Sequence, residues 1–152
     1  MLNNSPHKLA LIAENASIVL TFAHSRASFS AFHEQFAGEW KGLGKILFEV
    51  PELRADRALL ELAYLLRNLD TTEGISANID FPLGSLHMKD GSTTDLSLRE
   101  MTNKVIHATR LDWIVEKPNE LAVRCIGEDI ERWEYALIQV DRLAATCGIM
   151  AL

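Results

Sequence analysis

Three residues of types that can do chemistry recur at four-residue steps in the second half of the chain. Arg99, Asn103 and His107 lie in the segment 96–113, which reads LSLREMTNKVIHATRLDW. On a helix that turns about 100° per residue, these three and Arg110 fall within roughly 80° of one another. Arginine offers a fork of donors for phosphate, asparagine donates and accepts, and histidine can transfer a proton near neutral pH. The spacing therefore predicts a stripe of side chains that could meet one ligand.

The chemistry that such a stripe could support is that of a metal-independent ribonuclease. In that reaction His107 would assist the attack of a ribose 2'-hydroxyl on the adjacent phosphorus, and Arg99 would stabilise the charge that develops on phosphate oxygens. Arg99, Asn103 and His107 are accordingly the candidate catalytic residues.

The segment Asn103-Lys104-Val105-Ile106-His107 resembles the N-x-x-x-H part of the signature of the HEPN superfamily. That resemblance implies a small helical protein, commonly dimeric, of a group that includes RNA-cleaving toxins and defence proteins. Active members carry an arginine four to six residues before the histidine, and two copies of the signature face each other across the dimer. Thr102 stands at the place of that arginine here, and the nearest upstream arginine is Arg99.

A structural role explains the same residues without catalysis. Arg99 can pair with Asp95, four residues earlier, and the side chains of Asn103 and His107 can hydrogen-bond the backbone that follows the helix. This alternative predicts that the His107 ring is buried, whereas the catalytic hypothesis predicts that it is exposed.

Composition points to one globular domain spanning residues 1–152. Apolar residues make up 48% of the chain and charged residues 24%, which are ordinary values for a globular protein. Asp and Glu outnumber Lys and Arg by 21 to 15, a formal charge of -6, so binding of RNA would need a local basic patch. Two cysteines outside any CxxC pair indicate a reducing compartment, and we expect a cytoplasmic protein that does not bind a membrane.

Helical periodicity dominates the sequence. The Ser5-Pro6 pair begins a first helix, and Phe29, Phe32 and Phe36 either continue it past a kink or form a second short helix. The glycine-rich segment 37–44 has the composition of a loop. Pro51 opens another helix, whose apolar face is predicted to be formed by Leu53, Leu59, Leu60, Leu62, Ala63, Leu66 and Leu69.

Two short hairpins interrupt the helices. Asp90-Gly91 predicts a turn between apolar segments, and Lys117-Pro118-Asn119 predicts a second one. Between the hairpins, Ser97 and Glu100 form an S-x-x-E capping box that starts the helix carrying the stripe. A final long helix is predicted from the spacing of Ile130, Trp133, Leu137, Val140, Ala144 and Cys147. The fold class is thus α+β, dominated by four or five helices, with one or two small antiparallel hairpins.

Other candidate sites are less well supported by their spacing. His24, His33 and Glu34 are too far apart on one helix to bind a single ion, and we predict no metal or cofactor site. The aromatic residues Phe29, Phe32, Phe36 and Trp40 are core residues or line a small-molecule pocket. The leading hypothesis is a non-catalytic binding or interaction domain, homodimeric through an apolar helical face. An HEPN-like RNA-directed protein and a small-molecule-binding protein are the alternatives.

Overall fold

The structure, a computed structural model, describes residues 5–36, 38, 41–127 and 132–150. Within these ranges the helices are α1 (Ser5–Gln35), α2 (Val50–Glu73), α3 (Leu98–Ile106) and α4 (Val140–Met150). The strands are β1 (Gly84–Met88), β2 (Thr93–Leu96), β3 (Arg110–Ile114), β4 (Ala122–Ile126) and β5 (Trp133–Gln139). The predicted helix-dominated α+β class is confirmed.

The first two helices pack against each other and are joined by a short connection. Helix α1 is a single uninterrupted helix of 31 residues, which decides between the two alternatives left open by the sequence. Ala37, Glu39 and Trp40 of the predicted loop lie outside the described residues, and Leu43 and Gly44 are already helical. A π-helical turn, Lys45–Glu49, leads directly into α2.

Helix α2 runs four residues past Leu69, the last residue of its predicted apolar face. Pro51 occupies the first turn of α2, directly after the π-helical turn. Gly74 ends the helix in the left-handed conformation (φ 63°), and its N–H donates to the carbonyl oxygen of Asp70 at 2.8 Å. A 3-10 turn, Ile75–Asn78, then begins the connection to the sheet.

Both predicted hairpins are present, but they belong to one five-stranded antiparallel sheet. The strand order is β2-β1-β5-β4-β3, so β5 lies in the centre and joins the hairpins. In the first hairpin Gly91 adopts φ 89°, a conformation that glycine takes without a steric penalty. The Asp90 side chain completes that turn by accepting the backbone N–H of Ser92 at 2.8 Å.

The prediction of a long final helix is wrong for its first half. Residues 133–139 form β5, α4 begins only at Val140, and Ile130 lies outside the described residues. The 3-4 spacing of Trp133, Leu137 and Val140 imitates a helix, but Ala136 and Ile138 are the fully buried residues of this segment. Hydrogen bonds to β1 on one side and β4 on the other decide in favour of the strand.

The core lies between the helices and one face of the sheet. Helix α1 packs against α2 and α4, α2 packs against α3, and α3 and α4 contact β5. Alternation along the strands directs Val123, Cys125, Ala136 and Ile138 into this core, where each is buried. The opposite face of the sheet carries Leu137, Tyr135 and Arg124, which are partly exposed.

Candidate functional site

Helix α3 presents the predicted catalytic residues, and its local sequence explains how it is positioned. The Ser97 hydroxyl accepts the backbone N–H of Glu100 at 3.3 Å, while the Glu100 carboxylate accepts the N–H of Ser97 at 3.2 Å. This is the predicted capping box. The inner face of the helix is anchored in the core by Leu98, Met101, Thr102 and Val105, all buried.

The remaining face of α3 is where the candidate residues lie. Arg99 and His107 are exposed and Asn103 is half-buried. Helix α3 ends at Ile106, and His107 is its C-cap residue (φ -98°, ψ 7°). Arg110 does not extend the stripe as the sequence predicts, because it already belongs to β3 and its guanidinium donates to Asp112 at 2.9 Å.

The contacts that a purely structural role predicts for Arg99, Asn103 and His107 are absent from the described part of the chain. Within the described part of the chain, Arg99 forms no ion pair with Asp95, and neither Asn103 nor His107 uses its side chain in a hydrogen bond. Thr102, which stands in the place of the family arginine, is buried and donates its hydroxyl to the carbonyl oxygen of Arg99 at 2.9 Å. His107 is exposed at the C-terminal end of a helix whose inner face is anchored in the core.

A small cleft opens directly after His107, between α2 and the start of β3. We call it the α3 cleft; its volume is about 250 Å³ and it is lined by Asp56, Arg57, Leu60, Val105, Ala108, Thr109, Arg110 and Leu111. Two of these residues are arginines and one is a carboxylate. The lining thus carries two guanidinium groups and one carboxylate, and it includes Ala108, the residue that follows the exposed His107.

The acid of this cleft, Asp56, is held by a buried tryptophan. The indole N–H of Trp113 donates to Asp56 Oδ1 at 2.7 Å, and Trp113 itself is 8% exposed. Burial raises the pKa of Asp56, although the hydrogen bond from Trp113 opposes the shift. One turn earlier, burial also raises the pKa of Glu52; the charges of Asp56 and Asp112 act in the same direction and Arg26 opposes them.

No family model, curated protein or solved structure matches this chain. The assignment of a function therefore depends on the geometry of its own residues.

A second candidate site is the outer side of α2 and of the π-helical turn before it, which together carry a row of exposed side chains. The row comprises Ile46, Val50, Leu53, Arg57, Leu60, Tyr64, Arg67 and Thr71, and we call it the α2 stripe. Its members follow one another at steps of four and three residues, which keeps them on one side of a helix. They lie opposite the buried residues Leu59, Leu62 and Leu66, so α2 is apolar on two sides.

The stripe concentrates most of the exposed apolar side chains of the described residues. Seven large apolar side chains are exposed among the described residues. Five of them belong to the stripe: Ile46 (67%), Tyr64 (56%), Leu53 (54%), Val50 (52%) and Leu60 (40%). A shallow groove of about 870 Å³ runs along its second half, beside Lys8 of α1. The prediction that Leu53 and Leu60 belong to the core face of the helix is wrong.

The outer face of the sheet carries a polar stack that the sequence did not reveal. The Tyr135 ring lies between the His87 ring, 4.2 Å away and nearly parallel, and the Arg124 guanidinium at 4.4 Å. His87 Nε2 is 3.0 Å from Ser85 Oγ. The signal that would have located this stack is the alternation of Tyr135 and Leu137 with the buried residues Ala136 and Ile138. That two-residue period was missed because the segment was predicted to be a helix.

The other candidates from the sequence lie apart from these sites. Phe32 and Phe36 pack together with ring centres 5.1 Å apart, Phe29 lines a separate cavity of about 260 Å³, and Trp40 is outside the described residues. His24 binds Asp141 of α4 at 3.0 Å, and no group of three potential ligands is placed to hold a metal ion in the described ranges.

Burial raises the pKa of the Cys125 and Cys147 thiols to about 12, so both are unreactive. In the residues that the structure covers, no helix is long and apolar enough to cross a bilayer.

Proposed function

We propose that this chain is a non-catalytic interaction domain of the cytoplasm that associates with itself through the α2 stripe. The observation that carries the proposal is the 4-3 spacing of Ile46, Val50, Leu53, Leu60 and Tyr64 on the outer side of a helix whose inner side is already buried. Soluble monomers rarely concentrate exposed large apolar side chains on one helix face in this way, and apolar residues at this spacing are typical of helix–helix interfaces.

The proposed association is reversible. The stripe spans residues 46–71, about 38 Å of helix, and a helix face about 10 Å wide gives a flat footprint of roughly 400 Å² on each copy. Side-chain relief raises the buried area towards the lower end of specific interfaces, about 1,200 Å² in total. We therefore expect a dissociation constant on the order of micromolar.

Two charges placed in the stripe are expected to abolish association. The double substitution Leu53→Glu with Tyr64→Glu removes two apolar side chains and would force carboxylates into the interface, weakening the dimer more than about a hundredfold. Sedimentation equilibrium over a wide concentration range measures this change. Because both side chains are exposed in the single copy, the unfolding midpoint of the monomer should change little.

Ile149→Glu is the matched control, since Ile149 is exposed to the same degree (53%) but lies on α4, away from the stripe. The control should associate like the wild type. A wild-type protein that stays monomeric at high concentration, or equal association of all three proteins, would refute the proposal.

A second candidate function is that of an HEPN-like, RNA-directed protein, which either cleaves RNA or is an inactive ribonuclease. The observation that favours it is the exposed His107 ring at the end of α3, directly before Ala108 and Thr109 of the α3 cleft, whose lining also includes Arg57 and Arg110. His107 would act as the proton-transfer group, Asn103 would position the ribose, and an arginine would stabilise the phosphate.

Incubation of the purified protein with single-stranded RNA and a metal chelator tests this activity. If the proposal is correct, the wild type cleaves RNA and His107→Ala reduces the rate about a hundredfold or more, the contribution expected of general acid–base catalysis. His24→Ala, another exposed histidine, should cleave at the wild-type rate. Equal cleavage by all three proteins, or by none of them, rejects the ribonuclease function.

A further inference from the structure

The order of charged and apolar residues along the α2 stripe distinguishes between the two ways in which two copies can meet. In a parallel pair every stripe residue faces its own copy, so Arg57 would face Arg57 and Arg67 would face Arg67. Both side chains are exposed and neither forms an ion pair with another described residue. Like charges at such close range oppose association.

An antiparallel pair removes this conflict. If the stripes overlap from end to end, Arg57 faces Leu60 of the second copy, Arg67 faces Val50, Leu53 faces Tyr64, and Ile46 faces Thr71. Each arginine then lies over an apolar side chain, along which its aliphatic stem can pack while the guanidinium reaches solvent. The two-fold axis passes between the two helices at the level of residues 58 and 59.

Charges beside the stripe favour the same arrangement. Arg54 and Glu61 are exposed on one flank of α2, seven residues apart and on either side of the axis. In the antiparallel pair Arg54 of each copy comes within about 3 Å, measured along the helix axis, of the level of Glu61 of the other copy. The symmetry repeats this opposite-charge pair twice, as an isologous interface requires.

We infer that the partner of the α2 stripe is a second copy of this chain, bound antiparallel about an axis near residues 58 and 59. The inference rests on the proposed self-association and adds its geometry. It also involves the α3 cleft, because Arg57 and Leu60 belong both to the stripe and to the lining of the cleft. In the dimer the second copy covers the α2 side of each cleft, so the mouth of the cleft is complete only when two copies are bound.

Single cysteines in the stripe test the orientation, with a short bifunctional thiol reagent as the probe. In the antiparallel pair the two copies of Leu60→Cys are offset by only about 5 Å along the axis, whereas the copies of Val50→Cys are about 25 Å apart. We expect a crosslinked dimer from Leu60→Cys and none from Val50→Cys. The wild type is the control, because its two cysteines are buried.

The outcomes separate this inference from the proposed function on which it depends. Crosslinking of both variants means a parallel dimer, which overturns the orientation but leaves self-association intact. Absence of crosslinking together with a monomeric sedimentation profile refutes both. A dimer in sedimentation that crosslinks through neither cysteine places the interface elsewhere and overturns the inference as well.

An exchange of charges gives a second, independent measurement of the same geometry. Arg54→Glu alone and Glu61→Arg alone should each weaken the dimer about three- to tenfold, because each creates two like-charge pairs across the axis. The double variant carrying both changes restores opposite charges in an antiparallel dimer and should recover most of the affinity. Additive losses in the double variant would contradict the antiparallel register.

Discussion

Gly84→Ala is expected to prevent stable folding. Gly84 is buried in β1 opposite Ile138 of the central strand, and a Cβ at this position would overlap the carbonyl oxygen of Leu137. The carbonyl carbon of Leu137 and the Cα of Ile138 would lie only 2.9 and 3.1 Å away. All three atoms belong to the backbone, so no side chain can rotate to make room. The two strands would have to separate, at a cost of at least about 3 kcal/mol.

That cost is a large part of the total stability of a domain, which is roughly 5–15 kcal/mol. We expect a strongly lowered urea midpoint, or a protein without a cooperative transition, measured by circular dichroism. Gly148→Ala is the control, because a Cβ there meets nothing within 4 Å and alanine favours the helix that contains it. If Gly84→Ala unfolds at the same midpoint as this control, the close approach of β1 and β5 is wrong.

The second large effect is expected at Asp56, and it depends on which residue replaces it. Asp56→Ala deletes the acceptor of the Trp113 indole N–H, and Trp113 is itself buried. An unpaired buried donor costs about 1–3 kcal/mol. Asp56→Asn keeps an oxygen at the same position and should preserve the hydrogen bond. Urea unfolding followed by tryptophan fluorescence compares the two variants with the wild type.

The two variants also differ in how their stability depends on pH. Because burial raises the pKa of Asp56, the folded protein binds a proton more readily than the unfolded chain, and ionisation of this group disfavours folding. Asp56→Asn should therefore be at least as stable as the wild type near neutral pH. As the pH falls through the raised pKa towards the ordinary aspartate value, the wild type gains stability relative to Asp56→Asn and the advantage of the variant disappears. An advantage that grows on acidification would contradict the direction of the shift.

Local signals in the sequence were sufficient for the elements that local contacts define. The capping box at Ser97 and Glu100 and the turn at Asp90-Gly91 each involve residues only a few positions apart. The helix of the predicted catalytic stripe was located for this reason. The stripe was wrongly extended to Arg110, because the helical periodicity continues formally to that residue while the chain has already entered β3.

Two features depend on distant parts of the chain and could not be predicted from periodicity. Strand β5 is stabilised by β1, about fifty residues earlier, and without that partner its apolar spacing suits a helix equally well. Leu53 and Leu60 are apolar residues of a helix, so the sequence assigned them to the core. Their exposure follows from the position of α1, which packs on the other side of α2. The α2 stripe therefore became visible only when the core had been located.

The central place of β5 also determines when the sheet can be completed. Each hairpin closes through contacts between neighbouring residues, and both are synthesised before residues 133–139. Until β5 arrives, the inner edges of β1 and β4 have no strand between them, and their backbone N–H and carbonyl groups can pair with another nascent chain. The sheet can therefore be completed only after β5 has been synthesised. A chain that is released before residue 139 leaves the inner edges of β1 and β4 open. Residues 133–139, which lie far along the chain from the candidate residues of α2 and α3, therefore govern how long the inner edges of β1 and β4 are exposed to aggregation.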